Sequence, residues 1–204
     1  NKKINVIVEL VGGSSGIALE VATKALENKK HLVTANKAML AIHGKKLLGL
    51  SEKNSVNINY EAAVAGGIPI IRVLENSLLA DKITTIYGIL NGTCNYILTQ
   101  MKEKNVSFEN ALKSAQQHGY AESNPHDDIS GNDTAYKLLI LANLTLGLNL
   151  TYKDIYVEGI TEIESIDLKM ADKLNYSLLL LGITNIKNNS IQNRVHPCLV
   201  PSGS

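Results

Sequence analysis

Residues 5–35 read NVIVELVGGSSGIALEVATKALENKKHLVTA, and their pattern decides the fold. Asn5–Leu10 is a short β-branched run that ends at Gly12-Gly13, the signature of a strand followed by a turn. Ile17–Glu27 spaces its apolar residues by three and four, which predicts a helix, and His31–Ala35 reads as a second buried strand. Lys37–Leu50 reads as a further helix with a break at Gly44, and Val56–Val64 as a third strand. Strands alternating with helices imply a parallel α/β sheet.

The pattern changes at Ala65-Gly66-Gly67-Ile68-Pro69, where glycines suit a sharp loop and Pro69 suits the first turn of a helix. Beyond it, Lys82–Leu90 predicts a strand, and Cys94–Lys104, Phe108–His118 and Thr134–Leu146 predict helices, the second capped by Ser107. Asp154–Ile163, Ser177–Ile186 and Ile191–Val200 read as strands, with a helix from about Asp167 between the first two. Grouped helices and strands imply an open mixed sheet with helices on one face.

Composition narrows the function. The 204 residues are 45% apolar, and 20 basic side chains against 19 acidic ones leave a net charge of +1, which argues against nucleic acid as a partner. No run of about 18 apolar residues is present, so no membrane span is expected. Cys94 and Cys198 form no CxxC pair, which points to a reducing compartment and away from zinc. No secretory leader is visible, and a cytoplasmic protein is expected. The chain opens Asn1-Lys2-Lys3 and stops at Pro201-Ser202-Gly203-Ser204 after a strand-like run, which reads as a piece of something longer.

Four stretches carry candidate chemistry. Thr34-Ala35-Asn36-Lys37 lies where a strand meets a helix, at the sheet edge where α/β proteins bind ligands. Helix N–H groups and Lys37 could face an anion there, although a solvated lysine in a first turn is the plainer alternative. In Glu61–Pro69, carbonyl oxygens left unshielded by small side chains could hold a hard cation, against the alternative of an ordinary glycine turn. Asn91-Gly92-Thr93-Cys94-Asn95-Tyr96 could offer hydroxyl and amide donors to a ligand, or simply cap a helix. Gly119–Lys137 is the most informative. It gathers Glu122, Asp127, Asp128 and Asp133 in a loop that enters a helix, with Lys137 four residues after Asp133 on the same face. A lysine balanced between an apolar helix face and carboxylates can trade protons with a bound hydroxyl. The alternative is an acidic capped loop with an i,i+4 ion pair. No GxGxxG, P-loop, HExxH or GxSxG is present, and Gly12–Gly16 is too loose for a phosphate loop.

VELVGG (Val8–Gly13), VTANKAMLA (Val33–Ala41), YEAAVAGGIPII (Tyr60–Ile71), GILNGTCNYILTQM (Gly88–Met101) and GYAESNPHDDISGNDTAYKL (Gly119–Leu138) together resemble homoserine dehydrogenases, nearly end to end. The resemblance implies the C-terminal half of a Rossmann-type parallel sheet in residues 1–65. It implies an α+β substrate-binding, catalytic and dimerisation domain with an open mixed sheet in residues 66–204. The implied activity interconverts L-homoserine and L-aspartate 4-semialdehyde with NADP or NAD, on the route to threonine and methionine, in a homodimer.

The same resemblance implies residue roles. Lys137 exchanges the proton of the substrate hydroxyl, and Lys37 lies near the nicotinamide and substrate. Glu122 and Asp133 hold the substrate ammonium, and Asp128 is a further acid. Asn36, Gly12 and Gly13 lie on the cofactor side. Glu61, Val64, Gly66 and Ile68 match a sodium site built mainly from backbone oxygens. Departures are also implied: the glycine-rich fingerprint would precede Asn1, a further segment would follow Ser204, and Asn124 replaces a commoner acidic residue. The isolated chain is then expected to be inactive. The competing expectation is a non-catalytic piece that retains only the dimerisation sheet, with an unrelated cation- or amino-acid-binding module as a weaker third.

Overall fold

The computed structural model describes residues 3–187 and 190–204. The chain divides into two compact units, residues 1–83 with 139–153, and residues 84–138 with 154–204.

In the first unit, β1 (Val6–Glu9), β2 (His31–Thr34) and β3 (Ile58–Asn59) form a parallel sheet in that order, with Val6 opposite His31 and Leu32 opposite Ile58. The crossovers are α1 (Ile17–Glu27) and α2 (Lys37–Asn54). Ala18, Ala22 and Leu26 of α1, Leu32 of β2, and Met39 and Leu47 of α2 pack with Val56 into one core. Each large side chain buried there contributes roughly 1.5–3 kcal/mol.

Two expectations change here. The helix does not break at Gly44, because Met39, Leu40 and Leu47 anchor it on either side and offset the cost of about 1 kcal/mol that a helical glycine carries. The third strand is two residues, not the run Val56–Val64. After Asn59 the chain turns into a 3-10 turn, Glu61–Ala63, because the Glu61 carboxylate accepts N–H bonds from Ile71 (2.8 Å) and Arg72 (3.0 Å). Those bonds tie Glu61 to the start of α3 (Ile70–Arg72), directly after Pro69, and a π turn (Val73–Ser77) continues it.

In the second unit, β4 (Thr85–Gly88), β6 (Tyr176–Lys187), β7 (Ser190–Pro201) and β5 (Tyr156–Val157) lie side by side in the order β4-β6-β7-β5. β6 runs antiparallel to both neighbours, and β5 is parallel to β7, so the sheet is mixed as expected. The helices are α4 (Gly92–Lys104), α5 (Phe108–Gln117), α6 (His126–Ile129), the start of α7 (Asn132–Leu146), whose residues from Leu139 onward belong to the first unit, and α8 (Ser165–Lys173). Ser107 caps α5 as predicted, and α4 and α8 pack on β6. Leu180, Gly182 and Thr184 of β6 are buried, while Leu179, Leu181 and Ile183 alternate onto the other face.

The strand expected over Asp154–Ile163 shrinks to β5 for a steric reason. At Gly159 an added Cβ would lie 2.1 Å from the Ile129 carbonyl oxygen. The chain leaves the sheet to make this approach, and the Ile160 N–H bonds the same carbonyl at 2.9 Å.

Candidate active site

The centre of the second unit forms where β4 leaves its sheet. The register that pairs Gly88 with Gly182 would place Leu90 opposite Leu180. Asn95 takes that place instead: its Nδ2 donates to the Leu180 carbonyl (3.2 Å), and its Oδ1 accepts the Leu180 N–H (3.0 Å). The Leu90 carbonyl therefore leaves the ladder and accepts a hydrogen bond from Lys137 Nζ at 2.8 Å. Lys137 Nζ also donates to Asp133 Oδ2 at 2.7 Å, one turn back on α7. The Lys137 side chain is 19% exposed and that of Asp133 is 7% exposed, so the pair is largely shielded from water. These two bonds use two of the three ammonium donors and leave the third for a ligand oxygen.

Asn91 joins the remaining parts. Its Oδ1 accepts the Cys94 N–H (2.8 Å), which caps α4. Its Nδ2 donates to Asp128 Oδ1 (2.7 Å) and to Asp133 Oδ2 (2.8 Å). Cys94 is fully buried, and its thiol donates to the Asp128 carbonyl at 3.0 Å. Burial, and then the charges of Asp128 and Asp133, push that thiol up to about 12, so it remains protonated at neutral pH.

Of the predicted residues in this unit, the structure brings together Asp128, Asp133 and Lys137. Glu122 is exposed, on the loop between α5 and α6. That loop is fastened by Thr93 Oγ1 donating to the Tyr120 carbonyl (2.7 Å), by the stacked Tyr96 and Tyr120 rings (4.3 Å), and by Gln116 Nε2 donating to the Glu122 carbonyl (3.1 Å). Asp127 instead meets Asn132 Nδ2 at 3.3 Å. Asn91 and Asn95 are the residues that sequence reasoning did not place in the centre. The NGTCN motif was their only signal.

The first unit carries a second organised edge. Glu9, 1% exposed at the end of β1, accepts bonds from the N–H groups of Val11 (2.8 Å) and Gly12 (3.1 Å) and from Thr34 Oγ1 (2.6 Å). Burial disfavours its charge, but the donors from Thr34, Gly12, Val11 and Asn36 outweigh it and hold the carboxyl below its usual range. Thr34 Oγ1 accepts the Asn36 N–H (3.0 Å). Asn36 caps α2 by accepting from the Met39 N–H (3.1 Å), and its Nδ2 donates to the Gly13 carbonyl (2.7 Å). Lys37, half-buried, follows directly. Sequence reasoning missed Glu9, whose signal was a carboxylate inside an apolar strand.

Gly12 and Gly13 both have φ of +83°, and a Cβ at either would meet nothing within 4 Å. The turn is thus open at the carboxyl edge of a parallel sheet, where α/β proteins bind ligands. The Gly12 N–H points inward to Glu9.

Around the predicted cation site, Ala65 and Gly66 are left-handed, with φ of 59° and 58°. Val64 is buried, and Gly66 and Ile68 are exposed. The Glu61 carboxylate accepts from Ile71 and Arg72, and the Glu61 carbonyl accepts the Val64 N–H at 3.5 Å. Among the described residues no cluster of three His, Cys, Asp or Glu side chains suits a metal. A donor set of backbone carbonyls fits a hard cation only. No helix among the described residues is long and apolar enough to cross a membrane.

Comparison with known proteins agrees with this arrangement. Residues 69–204 match the family model described as homoserine dehydrogenase, and residues 1–61 match that of the homoserine dehydrogenase NAD binding domain. A homoserine dehydrogenase of Neisseria gonorrhoeae is 48% identical over 98% of this chain and 46% of its own length. One of Helicobacter pylori is 47% identical over 98% of this chain and 47% of its own. The crystal structure of a homoserine dehydrogenase from Thiobacillus denitrificans superposes with a TM-score of 0.94 at 43% identity, covering 98% of this chain and 46% of that one. The chain spans about half the length of the curated relatives it matches. With one family model matching well over half of its residues and a second matching the segment before them, the chain belongs to the homoserine dehydrogenase family.

Proposed function

We propose that this chain carries the substrate chemistry of an oxidoreductase that interconverts L-homoserine and L-aspartate 4-semialdehyde with NADP or NAD. The observation that carries this reading is Lys137 Nζ, anchored by Asp133 and the Leu90 carbonyl with one donor position left over. In the oxidative direction the neutral amine, still donating its two N–H bonds to Asp133 and the Leu90 carbonyl, takes the hydroxyl proton of the substrate on its lone pair, and in reduction the resulting ammonium returns that proton to the oxygen. Fixing the nitrogen at two points keeps its remaining valence aimed at one place, which lowers the entropic cost of the transfer. Homoserine carries an ammonium, and Glu122 and Asp133 supply carboxylates for it, with Asp128 as a further acid.

The nicotinamide, when bound, accepts or donates the hydride. In this reading Gly12, Gly13, Asn36 and Lys37 serve the cofactor, and Lys37 also takes a catalytic role. The backbone oxygens of Glu61, Val64, Gly66 and Ile68 suit a structural sodium ion. Residues 1–65 serve as part of a nucleotide-binding domain and residues 66–204 as the catalytic and dimerisation domain. The homodimer forms through the face of the second sheet that α4 and α8 leave open. The reaction belongs to aspartate-family amino-acid synthesis, leading to threonine and methionine, in the cytoplasm.

The test uses the protein translated from the complete reading frame that encodes this chain, with the chain itself alongside. L-homoserine added with NAD(P) should raise reduced-cofactor absorbance for the complete protein. Silence in both directions, homoserine oxidation and semialdehyde reduction, would instead favour a piece that retains only the dimerisation sheet.

A further inference from the structure

We infer that Asn91 is a positioning residue of this centre: it holds Asp128 and Asp133 as paired acceptors and, through Asp133, fixes Lys137. The inference rests on the reading of Lys137 as the proton-transfer group.

The geometry leaves this side chain one arrangement. Asn91 is 4% exposed, and its amide has one acceptor oxygen and two N–H donors. The oxygen accepts the Cys94 N–H, and the nitrogen faces Asp128 Oδ1 and Asp133 Oδ2. Flipping the amide would set its oxygen against two carboxylates and its nitrogen against an N–H, so the orientation follows from its partners. Asp133 Oδ2 is shared by Asn91 and Lys137, so a shift of that oxygen moves Lys137 Nζ.

Capping alone does not call for asparagine here. Serine, threonine or aspartate would accept the Cys94 N–H comparably. Only asparagine adds two donors while keeping the cap, and those donors offset the repulsion between two largely desolvated carboxylates. Among the described residues, the charged and titratable groups bonded together at this point include the Cys94 thiol on α4, Asp128 on α6, and Asp133 and Lys137 on α7.

The distinction between cap and bridge supplies the test. Asn91→Ser keeps a capping oxygen but cannot reach both carboxylates, and Asn91→Asp keeps the cap but adds a third negative charge. In the complete protein, Asn91→Ser should leave the melting temperature near that of the wild type. It should lower kcat at least about tenfold, as expected for losing a hydrogen bond to a charged group. The acid limb of the kcat pH profile should move to higher pH, because a carboxylate deprived of a donor protonates more readily. Should the serine variant fold poorly, Asn91→Asp supplies the same test, with kcat again expected to fall. An unchanged kcat and unchanged pH profile in either folded variant would overturn the inference. Carboxyl-carbon NMR titration of Asp128 and Asp133 gives a readout independent of turnover. A shift to higher pH in Asn91→Ser supports the inference even if homoserine is not oxidised, whereas unmoved titrations overturn it. A wild type inactive on homoserine would count against the functional reading alone.

Discussion

Glu9 is a carboxylate inside the β-branched run NVIVEL, and its role comes from distant partners. Thr34 lies 25 residues away, and together with Asn36 and Gly13 it closes a hydrogen-bonded circuit that fastens the glycine turn to the start of α2. Because the Glu9 carboxyl is held below its usual range, its contribution to stability is present above the ordinary value of 4.5 and is lost as pH falls through the lower folded value. Glu9→Gln should therefore flatten the fall in melting temperature below about pH 4.5, as measured by thermal denaturation across pH. An identical slope in wild type and variant would show that this carboxylate does not carry the circuit. Legibility at this scale followed sequence distance. Asp133 and Lys137, four apart, were visible as a pair in the sequence. The Asn91 bridge spans 37 and 42 residues, so local spacing revealed only a cap or a donor.

At the scale of elements, periodicity found what burial on one face dictates. The helix over Ile17–Glu27 was legible to the residue, because its buried Ala18, Ala22, Ala25 and Leu26 set the spacing. The strands expected over Val56–Val64, Lys82–Leu90 and Asp154–Ile163 were all read several residues too long, because an apolar run gives a strand's potential while tertiary contacts end it. Glu61 ends β3 by bonding the start of α3, and Gly159 ends β5 by pressing against Ile129. Gly159→Ala should destabilise the protein by roughly 1–3 kcal/mol or more, since backbone atoms would have to move. Gly44→Ala, where nothing lies within 4 Å, should stabilise α2 by up to about 1 kcal/mol. Denaturant unfolding of the two variants reads both signs, and equal effects would contradict the packing at Gly159.

For the whole molecule, the open face of the second sheet presents Leu179, Leu181 and Ile183 beside Tyr87, which is 74% exposed. The same face carries His196 and Arg194 opposite Leu181 and Ile183, so it is apolar in part, as a sheet face shared between two copies can be. Leu181→Lys should convert a sedimenting dimer into a monomer, and a wild type that sediments as a monomer at all concentrations would contradict the dimer. The sheet order was less legible than the strands: β5 lies beside β7, at the far edge from β4, a placement that sequence order does not fix.

The most direct test of the central claim is kcat for homoserine oxidation by Lys137→Ala in the complete protein, measured with the affinity for NAD(P). Loss of the proton-transfer group should lower kcat by about 10²–10⁴-fold and leave cofactor affinity near that of the wild type. A folded variant with near-normal kcat would remove Lys137, and the centre built around it, from the reaction.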